Sequence, residues 1–300
     1  MTHRTSVRVA VNGFGVIGKR VVDAVLRQED MELAGVCDVV GDWRLRTLSQ
    51  KDVTLYGASE EAVLSLKDAG FEVSGTLDHL LDKADIVVDC TPKHVAAANV
   101  ERYKSRRIKF IVHGGEKHSV TGHSFVAESS FASAVGRDAT RVVSCNTTSI
   151  VRTLTALKQA GLLKRARGTL LRRATDPWES HLGGIMNTLV PEPEIPSHQG
   201  PDAQKVDPDL DVVTMAVKVP ETIAHLHYWS VQLTRNAEKE EVLDAFRASS
   251  RIALVRTADG LTAINTIKEL MADLHRPFGN LYCESACNFD PLDGRIGVQF

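Results

Sequence analysis

Apolar positions follow two rhythms along this chain. Val7, Val9 and Val11 recur at every second residue, which predicts a strand, and Val21, Val22, Val25 and Leu26 then recur at helical spacing. Residues 33–37 predict a second strand. Looser apolar groups follow at 62–66, 71–73 and 77–81; residues 86–88 are a short, wholly apolar strand, and 108–112 form another that is apolar except at Lys109. A strand apolar on both faces belongs in a parallel sheet covered on both sides. Strands alternating with helices predict an α/β, Rossmann-type, doubly wound parallel sheet over residues 1–143.

The rhythm changes near Val143. Val142 and Val143 read as the end of a buried strand, and Ile150, Val151, Leu154 and Leu157 recur at helical spacing until Gly161, a C-terminal stop. A strand at 167–174 is broken by Asp176-Pro177-Trp178. Residues 183–211 are rich in Pro and Gly, include His198, and read as one long loop. Residues 212–219 and 223–233 alternate as half-buried strands, and His225, His227, Trp229, Val231 and Leu233 share one face of the second. Parity does not choose between the two histidines. Helices at 239–248 and 262–274 flank a short strand at 252–255. Together these predict an α+β catalytic domain over residues 144–300, with a mainly antiparallel or mixed sheet.

Composition narrows the class. At 300 residues and 43% hydrophobic content the chain can bury two cores. A net charge of -2 gives no general pull toward nucleic acid or an anionic membrane. No apolar run is long enough to span a membrane, and the N-terminus lacks the apolar stretch of a signal peptide, so the expected location is the cytoplasm. The five cysteines are odd in number and scattered, which argues against a disulfide framework. Cys283 and Cys287 are the only close pair, with no second Cys/His pair nearby, so no metal is expected.

Two stretches carry chemistry. Gly13-Phe14-Gly15-Val16-Ile17-Gly18 stands between a strand and a helix, where the glycines allow a tight turn, a close approach to a pyrophosphate and a helix N-terminus aimed at it. Asp38 ends the next strand where a carboxylate meets an adenine ribose diol, which favours NAD. Arg44 and Arg46 follow closely and suit a 2′-phosphate, so NADP stays open. The polar turns Asp89-Cys90-Thr91-Pro92 and His113-Gly114-Gly115-Glu116-Lys117 end parallel strands, where such sheets place ligands, and Thr91 and Pro92 are candidate cofactor contacts. The second stretch is Ser144-Cys145-Asn146-Thr147-Thr148. Cys145 is expected at a strand-to-helix junction, where a helix N-terminus stabilises a thiolate and can hold an oxyanion. The amide and hydroxyls around it suit a small polar substrate.

Residues 11–20, 89–92, 114–117 and 142–148, followed in order by Arg172-Arg173-Ala174-Thr175-Asp176-Pro177, Pro196-Ser197-His198-Gln199-Gly200-Pro201-Asp202, 214–220 and His225-Leu226-His227, resemble the archaeal-type (type II) glyceraldehyde-3-phosphate dehydrogenases over nearly the whole chain. The resemblance implies a cytoplasmic homotetramer, active in glycolysis, that oxidises glyceraldehyde 3-phosphate with inorganic phosphate to 1,3-bisphosphoglycerate, through a hemithioacetal and a thioester on Cys145. By it, His225 is the base, Gly115 and Arg173 contact cofactor, and Ser144, Asn146, Gln199 and Gly200 contact substrate. Arg172 and His198 are the expected phosphate binders, because a guanidinium fork matches phosphate oxygens. Gln199 stands where many relatives have a second histidine, and His113 replaces a usual glutamine. The chain stops before the family's His-Gln-Glu-Ser segment and last helix, which implies C-terminal truncation. Two alternatives stay open: a truncated, impaired nucleotide-binding paralogue, or another cysteine-dependent semialdehyde or acyl-phosphate dehydrogenase.

Overall fold

The computed structural model describes residues 6–113, 115–276, 286–292 and 295–299. The chain forms two compact units, residues 1–125 with 131–143, and residues 126–130 with 144–300. The first contains β1 (Val7–Asn12), α1 (Val16–Val25), β2 (Met31–Asp38), α2 (Trp43–Arg46), β3 (Leu55–Gly57), α3 (Glu60–Asp68), α4 (Leu77–Leu81), β4 (Ile86–Asp89), α5 (Val95–Ser105), β5 (Lys109–Val112), β6 (Ser124–Phe125) and β7 (Ala139–Val142). A further helix, α6 (Ala127–Ala134), departs from helical geometry at Ser130.

The seven strands pair in the order β3-β2-β1-β4-β5-β7-β6, every neighbouring pair parallel. Successive residues of one strand feed opposite faces. Ala10 and Cys37 join a core with Tyr56, Leu80, Tyr103 and Phe110, whereas Val11 and Val36 join one with Phe14, Val22, Leu45 and Leu66. This is the expected doubly wound sheet. Sequence reading passes over β3, whose three residues are too short to show a period, and α5, whose buried face is only Ala96, Val100 and Tyr103. Residues 77–81 form a single helical turn, and 71–73 join no strand.

The second unit opens with α7 (Cys145–Gln159), followed by β8 (Leu163–Arg173), β9 (Val190–Pro191), α8 (Gln199–Val206), β10 (Val212–Val219), β11 (Leu226–Leu233), α9 (Lys239–Arg247), β12 (Ala253–Leu254), α10 (Ile264–Asp273), β13 (Ala286–Leu292) and β14 (Arg295–Gln299). Its sheet runs β12-β13-β14-β11-β8-β10-β9 and is mixed: β8 pairs parallel with β10 and antiparallel with β11. Ile150, Val151, Leu154 and Leu157 on α7 are fully buried, and the helix packs on β8, α8 and α9. Trp229 fills the space above Gly168, its opposite number on β8, where an added Cβ would lie 2.5 Å from the indole. The expected long loop is corrected in part, because α8 occupies residues 199–206 within it. Gly200 and Pro201 look like breakers, but proline in a first turn loses no intrahelical bond, since those N–H groups have no partner there anyway. Cys283 lies outside the described residues.

Candidate active site

Cys145 is the first residue of α7. Ser144 caps the helix, its Oγ accepting from the Thr147 N–H at 3.2 Å, so the turn that presents the cysteine is fixed by its own neighbour. His225, at the mouth of β11, places Nε2 3.3 Å from Cys145 Sγ. Both residues open on a cavity of about 320 Å³ that is also lined by Ser144, Asn146, Arg172, Arg173, Asp176, His198 and Gln199.

Two guanidinium groups and an imidazole set the polar contacts of this cavity. Arg173 pairs with Asp176. Arg172 Nη1 donates to Glu192 Oε2 at 3.1 Å, and the other oxygen of Glu192 accepts from the His198 N–H at 2.9 Å and lies 2.7 Å from its Nδ1. Burial works against the Glu192 carboxylate, but the His198 bonds and the Arg172 charge win and hold it below its ordinary range. Nε of Arg172 and both amide atoms of the fully buried Gln199 have no hydrogen-bond partner. Such orphans each cost about 1–3 kcal/mol, and a polar ligand reaching them would recover it.

Ionisation departs from the expectation. Cys145 is exposed on its cavity side, yet the protein packed behind it pushes the thiol up, outweighing Arg173 and the N–H groups of Cys145 and Asn146, which pull it down. The helix terminus alone does not leave a standing thiolate. Burial, with the charges of Arg173, His227 and Arg172, pushes His225 down to about 3, so the ring is neutral and carries one hydrogen. Its Nδ1 accepts the Arg173 backbone N–H at 3.1 Å. The hydrogen therefore sits on Nε2 and points at sulfur, and at that nitrogen His225 is a donor, where the resemblance implied a base.

Two expected substrate contacts lie elsewhere. Thr147 is fully buried, its hydroxyl 2.9 Å from Ser144 Oγ and 3.3 Å from Asp202. Gly200 gives its N–H to Thr214 Oγ1 at 3.0 Å, and a Cβ there would meet that oxygen at 2.9 Å. Both shape the walls and neither lines the cavity. Sequence reading missed Glu192, which sits in a Pro-rich stretch without periodicity. It also missed Asp176, although the i,i+3 spacing from Arg173 was a usable signal.

In the first unit the expected dinucleotide residues gather at the C-terminal ends of the strands. Gly13 adopts φ +94° and packs on the Cys90–Thr91 peptide, where a Cβ would stand 3.0 Å away. Gly18 lies so close to the Gly13 carbonyl that a Cβ would be 1.9 Å from its oxygen, whereas the space over Gly15 is open. Helix α1 starts behind Gly15 with no side-chain cap and no acidic residue in its first turn, so the Val16 and Ile17 end is free for an anion. This cradle fits a pyrophosphate. Asp38 accepts the Phe14 N–H at 2.7 Å, which holds the carboxylate at the glycine turn. Thr91 is tied to Asp89, Pro92 follows it, and Gly115 takes φ +84° just beyond β5. Arg44 is paired with Asp42 at 2.7 Å, and Arg46 stacks 5.4 Å from the Phe71 ring.

A family model described as glyceraldehyde 3-phosphate dehydrogenase, C-terminal domain, matches residues 144–274, and one described as dihydrodipicolinate reductase, N-terminus, matches residues 7–147. The glyceraldehyde-3-phosphate dehydrogenase of Methanobrevibacter smithii is 41% identical over 276 residues, spanning 91% of this chain and 81% of the relative. Those of Methanococcoides burtonii and Methanothermus fervidus are each 42% identical, spanning 93% and 91% of this chain and 82% and 81% of the relatives. The crystal structure of aspartate semialdehyde dehydrogenase II from Vibrio cholerae, complexed with ASA, superposes with a TM-score of 0.66 at 14% identity, covering 98% of this chain and 92% of that one. Likeness at that identity speaks for the fold alone.

Proposed function

The chain belongs to the glyceraldehyde-3-phosphate dehydrogenase family, and from that membership we propose that it oxidises glyceraldehyde 3-phosphate with a pyridine nucleotide and inorganic phosphate, with Cys145 as nucleophile. The observation that carries this reading is the 3.3 Å approach of His225 Nε2 to Cys145 Sγ in a cavity that also holds a guanidinium with an unmet N–H.

Cys145 gives its proton to solvent through the open side of the cavity, and the thiolate attacks the aldehyde carbon. The charge moves to the former carbonyl oxygen. There the Nε2–H of His225 and the N–H groups at the start of α7 stabilise it, being donors already aimed at the sulfur side of the cavity. Oxidation of the hemithioacetal to a thioester releases a hydride, for which a bound pyridine nucleotide would supply the acceptor. Arg172 and His198 hold the attacking phosphate; as it bonds to the carbonyl carbon, the C–S bond breaks with its electron pair left on sulfur and an acyl phosphate departs. Gln199 is placed to satisfy its amide on a substrate hydroxyl.

Gly13, Gly15, Gly18 and the N–H groups of Val16 and Ile17 would hold the pyrophosphate, and Asp38 the ribose, with Thr91, Pro92 and Gly115 bordering the nucleotide. NAD is the favoured form, since Asp38 stands at the glycine turn and Arg44 is already engaged by Asp42. We infer a homotetramer from the family membership, and a monomer or dimer mass in light scattering would refute it.

Reduction of NAD or NADP, followed at 340 nm, should depend on both glyceraldehyde 3-phosphate and phosphate, and Cys145→Ser should abolish it. A folded, monodisperse protein that reduces neither nucleotide would end this reading.

A further inference from the structure

His227, two residues beyond His225 on the same face of β11, is 2% exposed and does not line the cavity. Its Nε2 lies 2.8 Å from Oδ1 of Asn146, the residue after Cys145, and the Asn146 Nδ2 lies 4.0 Å from Cys145 Sγ. Asn146 is itself 5% exposed, so its amide is not oriented by bulk water. We propose that His227 is a positioning residue: by donating Nε2–H to Asn146 Oδ1 it fixes the carboxamide with its NH₂ toward the sulfur, where it donates to the oxyanion formed when Cys145 attacks a carbonyl.

Oxyanion stabilisation depends on which end of the amide faces the nucleophile. Reversed, Asn146 would set its carbonyl oxygen against the oxyanion, a repulsive contact in place of an attractive one, whereas at 4.0 Å its hold on the sulfur itself is slight. The local hydrogen-bond partner decides between these states. A neutral imidazole with its hydrogen on Nε2 accepts only one of them, because it needs an oxygen opposite. Burial keeps this ring neutral, pushing it down to about 4. An apolar residue at 227 would leave Oδ1 buried without a donor and the amide free to turn. The two histidines thus divide the work: one touches sulfur, the other orients the side chain next to it.

The proposal rests on Cys145 being a nucleophile, as in the function proposed above, and its test is chosen to be independent of nucleotide, phosphate and aldehyde. In acylation by p-nitrophenyl acetate the thiolate attacks the ester carbonyl carbon, forming the C–S bond and an oxyanion; the oxyanion then collapses to a thioester as the ester C–O bond breaks and p-nitrophenolate leaves with that electron pair. Alkylation by iodoacetamide consumes the same thiolate with no oxyanion. Asn146→Ala and His227→Leu should each slow acylation about a hundredfold, the loss typical of one oxyanion donor, and leave alkylation within about threefold. The double variant should be no slower than either single one. His227→Gln, whose amide can donate to Oδ1, should recover most of the rate. If His227→Leu does not fold, Asn146→Ala and His227→Gln still decide. Equal slowing of acylation and alkylation, or effects of the two substitutions that multiply, would overturn the proposal. A wild-type protein that is acylated with this pattern yet reduces no nucleotide would refute the dehydrogenase reading and leave the positioning role standing.

Discussion

Replacing Glu192 with glutamine isolates one charge at the anion-binding end of the cavity. In the free chain its carboxylate accepts from Arg172 at 3.1 Å and from the His198 N–H at 2.9 Å, with Nδ1 at 2.7 Å, and its side chain is 18% exposed. An incoming phosphate has to take over those donors from a group of its own sign. Glutamine keeps an acceptor oxygen and nearly the same shape but removes the charge. A unit charge pair at about 4 Å is worth about 4 kcal/mol at an effective dielectric of 20. Partial exposure and the glutamine dipole leave roughly a quarter to a half of that as net competition. A gain of about 1–2 kcal/mol corresponds to a KM for inorganic phosphate about 5- to 30-fold lower, with kcat nearly unchanged. Steady-state rates at saturating nucleotide and aldehyde, with phosphate varied, measure it, and a thermal midpoint within a few degrees of wild type certifies the fold. A KM for phosphate that is unchanged or higher would refute competition and make Glu192 an orienting partner of Arg172 and His198.

Gly18→Ala should abolish nucleotide binding, seen by calorimetry, and destabilise the protein by about 2–4 kcal/mol, because the new Cβ meets backbone oxygen at 1.9 Å and backbone cannot swing aside; wild-type affinity for nucleotide would sink this. Acid should weaken the fold through His225 and His227. Their folded values, about 3 and about 4, lie below the unfolded 6.5, so the unfolded chain binds more protons and their contribution is complete above pH 6.5 and lost as pH falls. Between pH 7 and 5 each ring should remove about 2 kcal/mol, at 1.36 kcal/mol per unit. Urea titrations at the two pH values test this, and equal stabilities in wild type and His227→Gln at pH 5 relative to pH 7 would contradict it.

What the sequence revealed tracks how local each signal is. The glycine turn, Asp38 and the Cys145 junction depend on neighbours within a few residues, and each lies on the element expected of it. The alternating pattern of β11 put His225 and His227 on one side together with Trp229, and the burial of Trp229, Val231 and Leu233 follows that parity. Which histidine meets the cysteine was not legible, since it depends on where the start of α7 lies against β11, 80 residues away in sequence. Glu192 was hidden for the same reason. Its partners come from β8 and from the residue before α8, so no spacing along the chain announces the triad. The ionisation of Cys145 was misjudged because helix-end N–H groups are a local feature, whereas the crowding that opposes them is a property of the whole fold.

Position 173 serves the site twice, by its guanidinium and by its amide nitrogen. These two services answer to different kinds of change. Any replacement other than proline keeps an amide hydrogen there, so drift at this codon can retune the charge beside the sulfur while the imidazole stays in place. Catalytic alignment is thereby written into the main chain, out of reach of most point mutations, and the side chain is left as the adjustable part.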